Sequence, residues 1–153
     1  MSVSEWAAWW GAITATIVLG WDVYKWHRSK SNIRVSASPN MQTVNQLAGR
    51  LEDDKNIFVE VVNNGDKTTT ITHLVVKHYA NWFDRIRRKP SMQGLVTNPI
   101  GGSIPYELAP GKRWTGLIDQ KDIEEKTPNI VHLYCGVYHS ASNRAKLVKV
   151  KFK

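Results

Sequence analysis

Ile57-Phe58-Val59-Glu60-Val61-Val62, followed at once by Asn63-Asn64-Gly65-Asp66, is the stretch that decides the fold. The first six residues are mostly β-branched or aromatic, a composition that fits a pleated, half-buried surface better than a helix. The next four are turn formers that accept left-handed backbone or bond their own main chain. Beyond the turn, Thr68 to Tyr79 is a longer run of Thr, Ile and Val that reads as a second strand. Outward from this pair, strands are expected at Ile33–Ala37, around Ile104–Leu108 (between Gly101-Gly102 and Pro110-Gly111), at Arg113–Ile118, at Val131–Tyr138 and at Lys146–Phe152. Trp82–Arg88 and Asp119–Lys126 read as short helices, the second with Asp119 as its N-cap. The fold class expected is therefore mainly β: an antiparallel, immunoglobulin-like β-sandwich with one or two short helices. The Cys…Trp…Cys signature of true immunoglobulin domains is absent, and the one cysteine, Cys135, lies in an apolar run and reads as a small core residue.

Ahead of this domain, Trp6 to Trp21 (WAAWWGAITATIVLGW) contains no charged residue. Trp6, Trp9 and Trp10 mark one end, and Trp21, Tyr24 and Trp26 the other, as in the aromatic belts of a membrane-spanning helix. The leader before it lacks Lys and Arg, unlike a secretory signal peptide. The expectation is a single transmembrane helix within residues 1–30, including a basic juxtamembrane flank, followed by a soluble β-rich domain at 31–153. Lys25, His27, Arg28, Lys30 and Arg34 follow the apolar stretch and no Lys or Arg precedes it, so the positive-inside rule puts the domain in the cytoplasm. The reversed, periplasmic topology is the weaker alternative. Ala8, Ala12, Thr16 and Gly20 fall at four-residue spacing, beside a second row of Ala7, Gly11 and Ala15. Small residues so spaced let helices approach closely in lipid, so Ala8, Gly11, Ala12, Ala15 and Gly20 are the expected helix-packing positions of a homo-oligomer.

The formal net charge is +8, which favours an anionic neighbour such as a lipid headgroup or a nucleotide. No P-loop, GxGxxG, nucleophile elbow or zinc-type Cys/His spacing occurs, so neither an enzyme nor a cofactor is expected. His73 and His78 stand an odd number of residues apart on one expected strand, as do His132 and His139, and neither pair shares a face. The chemistry-bearing cluster is His78-Tyr79-Ala80-Asn81-Trp82-Phe83-Asp84-Arg85-Ile86-Arg87-Arg88-Lys89-Pro90. Guanidinium groups fork onto phosphate oxygens and aromatic faces stack on bases, so Arg85, Arg87, Arg88 and Lys89 are expected phosphate contacts and Tyr79 or Trp82 a stacking partner. An anionic membrane surface suits the same residues, and so does a solvated helix capping the sandwich. Lys112-Arg113-Trp114 repeats the pattern in miniature and is placed with it, at one end of the domain. Lys149, Lys151 and Lys153 alternate with Val148, Val150 and Phe152, giving a lysine face that guards an edge strand or binds an anion.

Four segments carry a resemblance: Trp9-Trp10-Gly11-Ala12-Ile13-Thr14, Arg34-Val35-Ser36-Ala37-Ser38-Pro39-Asn40, Val61-Val62-Asn63-Asn64-Gly65-Asp66 and Leu133-Tyr134-Cys135-Gly136-Val137-Tyr138-His139-Ser140. Through them nearly the whole chain resembles small bacterial single-pass membrane proteins with a C-terminal β-sandwich-like domain. In length, order of parts and charge it also resembles one kind of type III CRISPR effector, an N-terminal membrane helix with a cytosolic domain that binds cyclic tetra-adenylate. That resemblance implies an antiviral defence effector at the bacterial inner membrane, acting as an oligomer and binding a cyclic oligoadenylate rather than a long nucleic acid. It transfers no individual residue. The rival expectation is a membrane-tethered immunoglobulin-like scaffold that binds another protein and no nucleotide.

Overall fold

In the computed structural model, described over residues 2–29, 31–45, 50–127 and 130–152, an N-terminal helix is followed by two antiparallel sheets. Helix α1 runs Val3–Arg28, and Ser2 and Glu5 close a capping box at its start. Its apolar side chains stand in the open: Trp6, Trp9 and Trp10 are 55–62% exposed, and Ile17, Val18 and Leu19 are 60–65% exposed. Among the described residues, however, no helix is long and apolar enough to cross a membrane, so the expected transmembrane span is not met. The reason lies in the composition of α1. Its strongly aliphatic part, Ile13–Leu19, is short and holds Thr14 and Thr16, while Trp and Gly dilute the rest and Asp22 adds a charge.

The first sheet has the order β1-β2-β6 and is built from β1 (Ile33–Asn45), β2 (Arg50–Asn63) and β6 (Arg113–Asp119). The second has the order β4-β3-β7-β8, from β3 (Thr69–His78), β4 (Met92–Val96), β7 (Leu133–His139) and β8 (Ser142–Lys149), with β5 (Tyr106–Leu108) also on β3. One edge of β3 is shared in tandem: Thr69–Ile71 pair with β5 and Leu74–His78 with β4. Ile57, Val59 and Val61 of β2 meet Ile71, Leu74 and Val76 of β3 and Leu133, Cys135 and Val137 of β7 in one buried core. Each fully buried aliphatic side chain contributes about 1.5–3 kcal/mol. Helices α2 (Trp82–Ile86) and α3 (Gln120–Lys126) sit in the connections, and Asp119 caps α3 as expected, accepting from the Lys121 amide at 2.9 Å.

Several boundaries differ from expectation. β1 and β2 extend far beyond Ala37 and back to Arg50, because they pair with each other through two register shifts. Val131 and His132 belong to a turn of 3-10 helix rather than a strand. β8 begins at Ser142 and ends at Lys149, and Val150 and Phe152 pack on the core beyond it. Lys149 and Lys151 are exposed beside buried Val150, while Lys153 lies outside the described residues. β4 had no strand signal in a stretch containing Gly94, and it forms because β3 offers it an edge.

The Asn63-Asp66 turn is not a hairpin turn: β2 and β3 lie in different sheets, so it carries the chain across the core. Asn63 is fully buried there. Its Nδ2 donates to the Lys67 carbonyl at 2.8 Å and the Leu108 carbonyl at 3.0 Å, and its Oδ1 accepts from the Gly65 amide at 3.0 Å. Asn63→Ala leaves the buried Leu108 carbonyl of β5 and two groups of the turn without this partner and is expected to cost about 2 kcal/mol, measured by urea denaturation.

Cys135 is buried and its thiol is pushed up to about 12 by desolvation. In the unfolded chain the thiol ionises from its ordinary value of 9.0, so this group's stabilising contribution is whole below pH 9 and lost as pH rises toward 12. At pH 8 the native thiol is expected to resist iodoacetamide and to react fully once the chain is unfolded, as mass spectrometry will read.

Candidate functional site

The outer face of the second sheet, away from the core, gathers the polar chemistry. Cross-strand pairing sets Lys77 of β3 opposite Tyr134 of β7, and His73 opposite Tyr138. The Lys77 ammonium donates to the Tyr138 hydroxyl at 3.3 Å and lies 5.6 Å from that ring's centre. Tyr79, just past β3, is buried and meets Tyr134 edge-on at 5.4 Å. The chain then turns into α2, which returns Arg85 over the Tyr134 ring at 4.3 Å, with Nη1 donating to the Tyr134 hydroxyl at 3.2 Å. Such stacking orders a long side chain that solvent alone leaves free. Arg88 follows with φ 56°, a left-handed backbone that few residues other than glycine adopt.

Beside them lies a half-open cavity of 390 Å³ lined by Lys77, Tyr79, Arg85, Arg88, Tyr138 and Arg144, together with Asn143, Ala145 and Leu147 of β8. Four cations face this space and, among the described residues, no carboxylate lines it. Repulsion among them is relieved by an anion, and two guanidinium groups supply forked donors that match phosphate oxygens. A larger cavity, 520 Å³, opens between the β4 and β6 edges, but two carboxylates, Asp119 and Asp122, line it against the single cation Lys126, amid mainly apolar residues, a less favourable setting for phosphate.

The sequence-predicted residues divide. Tyr79, Arg85 and Arg88 line the cationic cavity. Arg87, Lys89 and Trp82 are exposed outside it. The expectation that Lys112 and Arg113 share the site is corrected. They adjoin the Asn63 turn at the Thr69 end of β3, whereas α2 follows His78 at its other end, roughly 30 Å away along the strand. Arg113 pairs with Glu60 at 3.2 Å, and Trp114 is buried with Nε1 donating to the Ser103 carbonyl at 3.2 Å. Ala8, Gly11, Ala12, Ala15 and Gly20 lie exposed along α1, and a methyl group at Gly11 or Gly20 meets nothing within 4 Å. Lys77, Tyr138 and Arg144 were missed. Strand alternation was the available signal, since residues two apart share a face, but it does not say which strands are neighbours.

No protein-family model matches the chain, and no curated protein does either. Two solved structures align with it. A Bordetella pertussis protein assigned as ApaA is 14% identical, over 80% of this chain and 91% of that one, with a TM-score of 0.37. A structural-genomics target, SoR45, is 12% identical over 81% and 84% of the two chains, with a TM-score of 0.32. Similarity this distant carries no argument about a ligand.

Proposed function

We propose that this protein is a membrane-attached antiviral effector whose β-domain, read as an immunoglobulin-like sandwich on the cytoplasmic side of a bacterial inner membrane, binds a cyclic oligoadenylate. One observation supports the ligand class above all: four cations and two tyrosines converge on one cavity in whose lining, among the described residues, no carboxylate stands. Its 390 Å³ is near the lower end of ligand-pocket sizes, room for one nucleotide rather than a ring of four. A homo-oligomer that contributes one cavity per nucleotide would match the symmetry of such a ring.

Attachment rests on α1. Its 26 residues extend about 39 Å with their apolar side chains uncovered. The Thr14 and Thr16 hydroxyls donate back to the Trp10 and Ala12 carbonyls at 2.5 and 2.8 Å, satisfying within the helix what lipid cannot satisfy. Because α1 is less apolar than a self-sufficient span, its seating in lipid draws on other copies packed along Ala8, Ala12 and Gly20.

Calorimetry of the full chain in detergent against cyclic tri-, tetra- and hexa-adenylate tests the ligand. Saturable binding of one ring size, weakening with salt, is expected, and the absence of heat with all three counts against the reading. A protein-binding scaffold is the second reading, favoured by the apolar cavity between β4 and β6, where Leu95 and Ile100 are 53% and 57% exposed.

A further inference from the structure

Helix α2 buries none of its residues. Trp82, Phe83 and Ile86 are 58%, 56% and 65% exposed, and the Trp82 and Phe83 rings lie 4.1 Å apart, so the three make one apolar plate facing solvent. At 100° per helical residue, positions 82, 83 and 86 fall within one 100° arc, while position 85 falls outside it. Arg85 accordingly turns the other way, onto Tyr134, and none of the three apolar residues lines the cationic cavity. The plate is therefore not a wall of the ligand site.

The protrusion that carries it is braced. The segment from Tyr79 to Pro90 is closed at its base by His78 and Ser91: Nδ1 of His78 and Oγ of Ser91 are 2.8 Å apart, and the Ser91 amide donates to the His78 carbonyl at 2.9 Å. Within it, the Arg87 amide donates to the Phe83 carbonyl and the Lys89 amide to the Asp84 carbonyl, both at 2.9 Å. Arg87 and Lys89 follow the plate directly in the chain, exposed and outside the cavity. A compact loop that holds a Trp, a Phe and an Ile in water beside exposed cations fits an interface of hydrocarbon and negative charge.

We propose that α2 is a second membrane contact, with Trp82, Phe83 and Ile86 entering the headgroup boundary of an anionic bilayer and Arg87 and Lys89 pairing with lipid phosphates. Charge complementarity selects the occupant, because exposed cations follow the plate directly on a chain of net charge +8. The proposal rests on the membrane half of the proposed function and not on the nucleotide half. It also divides the basic cluster between two tasks: Arg85 and Arg88 serve the cavity, Arg87 and Lys89 the bilayer.

The test uses the full chain reconstituted in vesicles of phosphatidylglycerol and phosphatidylcholine, or of phosphatidylcholine alone. A nitroxide is placed at Phe83→Cys or Ile86→Cys, with Glu107→Cys on β5 as the distant control; buried Cys135 stays unlabelled. In anionic vesicles the ratio of oxygen to nickel-chelate accessibility at 83 and 86 is expected to rise several-fold over that at 107, and Arg87→Ala with Lys89→Ala to return it toward the control. Labels at 83 and 86 as aqueous as the label at 107 on floated vesicles overturn the proposal, as does equal insertion in phosphatidylcholine alone. Withdrawal of the label on addition of millimolar inorganic phosphate also overturns it, since the cations would then serve a soluble anion. A chain that inserts these labels but binds no cyclic oligoadenylate defeats the ligand reading and leaves this one standing.

Discussion

With Arg85→Gln and Arg88→Gly combined, affinity for cyclic tetra-adenylate is expected to fall by at least ~100-fold, with little change in thermal midpoint. Each guanidinium that meets a phosphate makes a charge-assisted hydrogen bond contributing about 1.5–3 kcal/mol, and two of them account for a hundredfold or more. The replacements limit structural side effects. Glycine accepts the left-handed backbone at position 88, where φ is 56°, and so relieves strain as it removes charge. Glutamine at 85 keeps a chain long enough to cover Tyr134 while losing the cation over its ring. Calorimetry across a salt series reads the result, and the dependence of affinity on salt should become shallower in the double variant. Undiminished affinity in a folded double variant would move the ligand away from this cavity.

That experiment also marks where sequence reading stopped. The β2 strand, the Asn63 turn and the Asp119 cap were legible because each is local: β-branched residues, turn formers and a side chain two residues from the amide it meets. Tyr79, Arg85 and Arg88 were legible for the same reason, lying within ten residues of one another. Lys77, Tyr138 and Arg144 were not. They come from β3, β7 and β8, and they meet only because β7 pairs with both other strands, a fact of topology rather than composition. Lys112-Arg113-Trp114 failed in the opposite way: its composition imitates the α2 cluster, but Trp114 serves the core and Arg113 answers Glu60. The expected span on α1 is not met for a physical reason: its apolar side chains are exposed, but a run without charges is not the same as a run apolar enough to cross lipid.

Gly136→Ala is expected to destabilise the domain by at least ~3 kcal/mol, the upper part of the range for overpacking, and to lower its thermal midpoint by about 10 °C. Gly136 pairs with Val75 on one side and Leu147 on the other. An added Cβ would lie 2.8 Å from the Lys146 carbonyl carbon and 2.9 Å from the Leu147 Cα, and closer still to the Lys146 carbonyl oxygen. All three are backbone atoms, so relief requires β8 to move rather than a side chain to turn. Gly94→Ala on β4 is the control, since a Cβ there meets nothing within 4 Å and should cost little. The consequence reaches the site, because Asn143, Arg144, Ala145 and Leu147 of β8 form one wall of the cationic cavity. At a temperature where Gly136→Ala is still folded, ligand affinity should therefore fall although Lys77, Arg85 and Arg88 are untouched, and Gly94→Ala should bind as the parent does. Lost stability with unchanged affinity would mean that β8 supports the sheet but not the ligand. Loss of both would make the missing side chain at Gly136 the feature that lets Arg144 approach Lys77 and Tyr138.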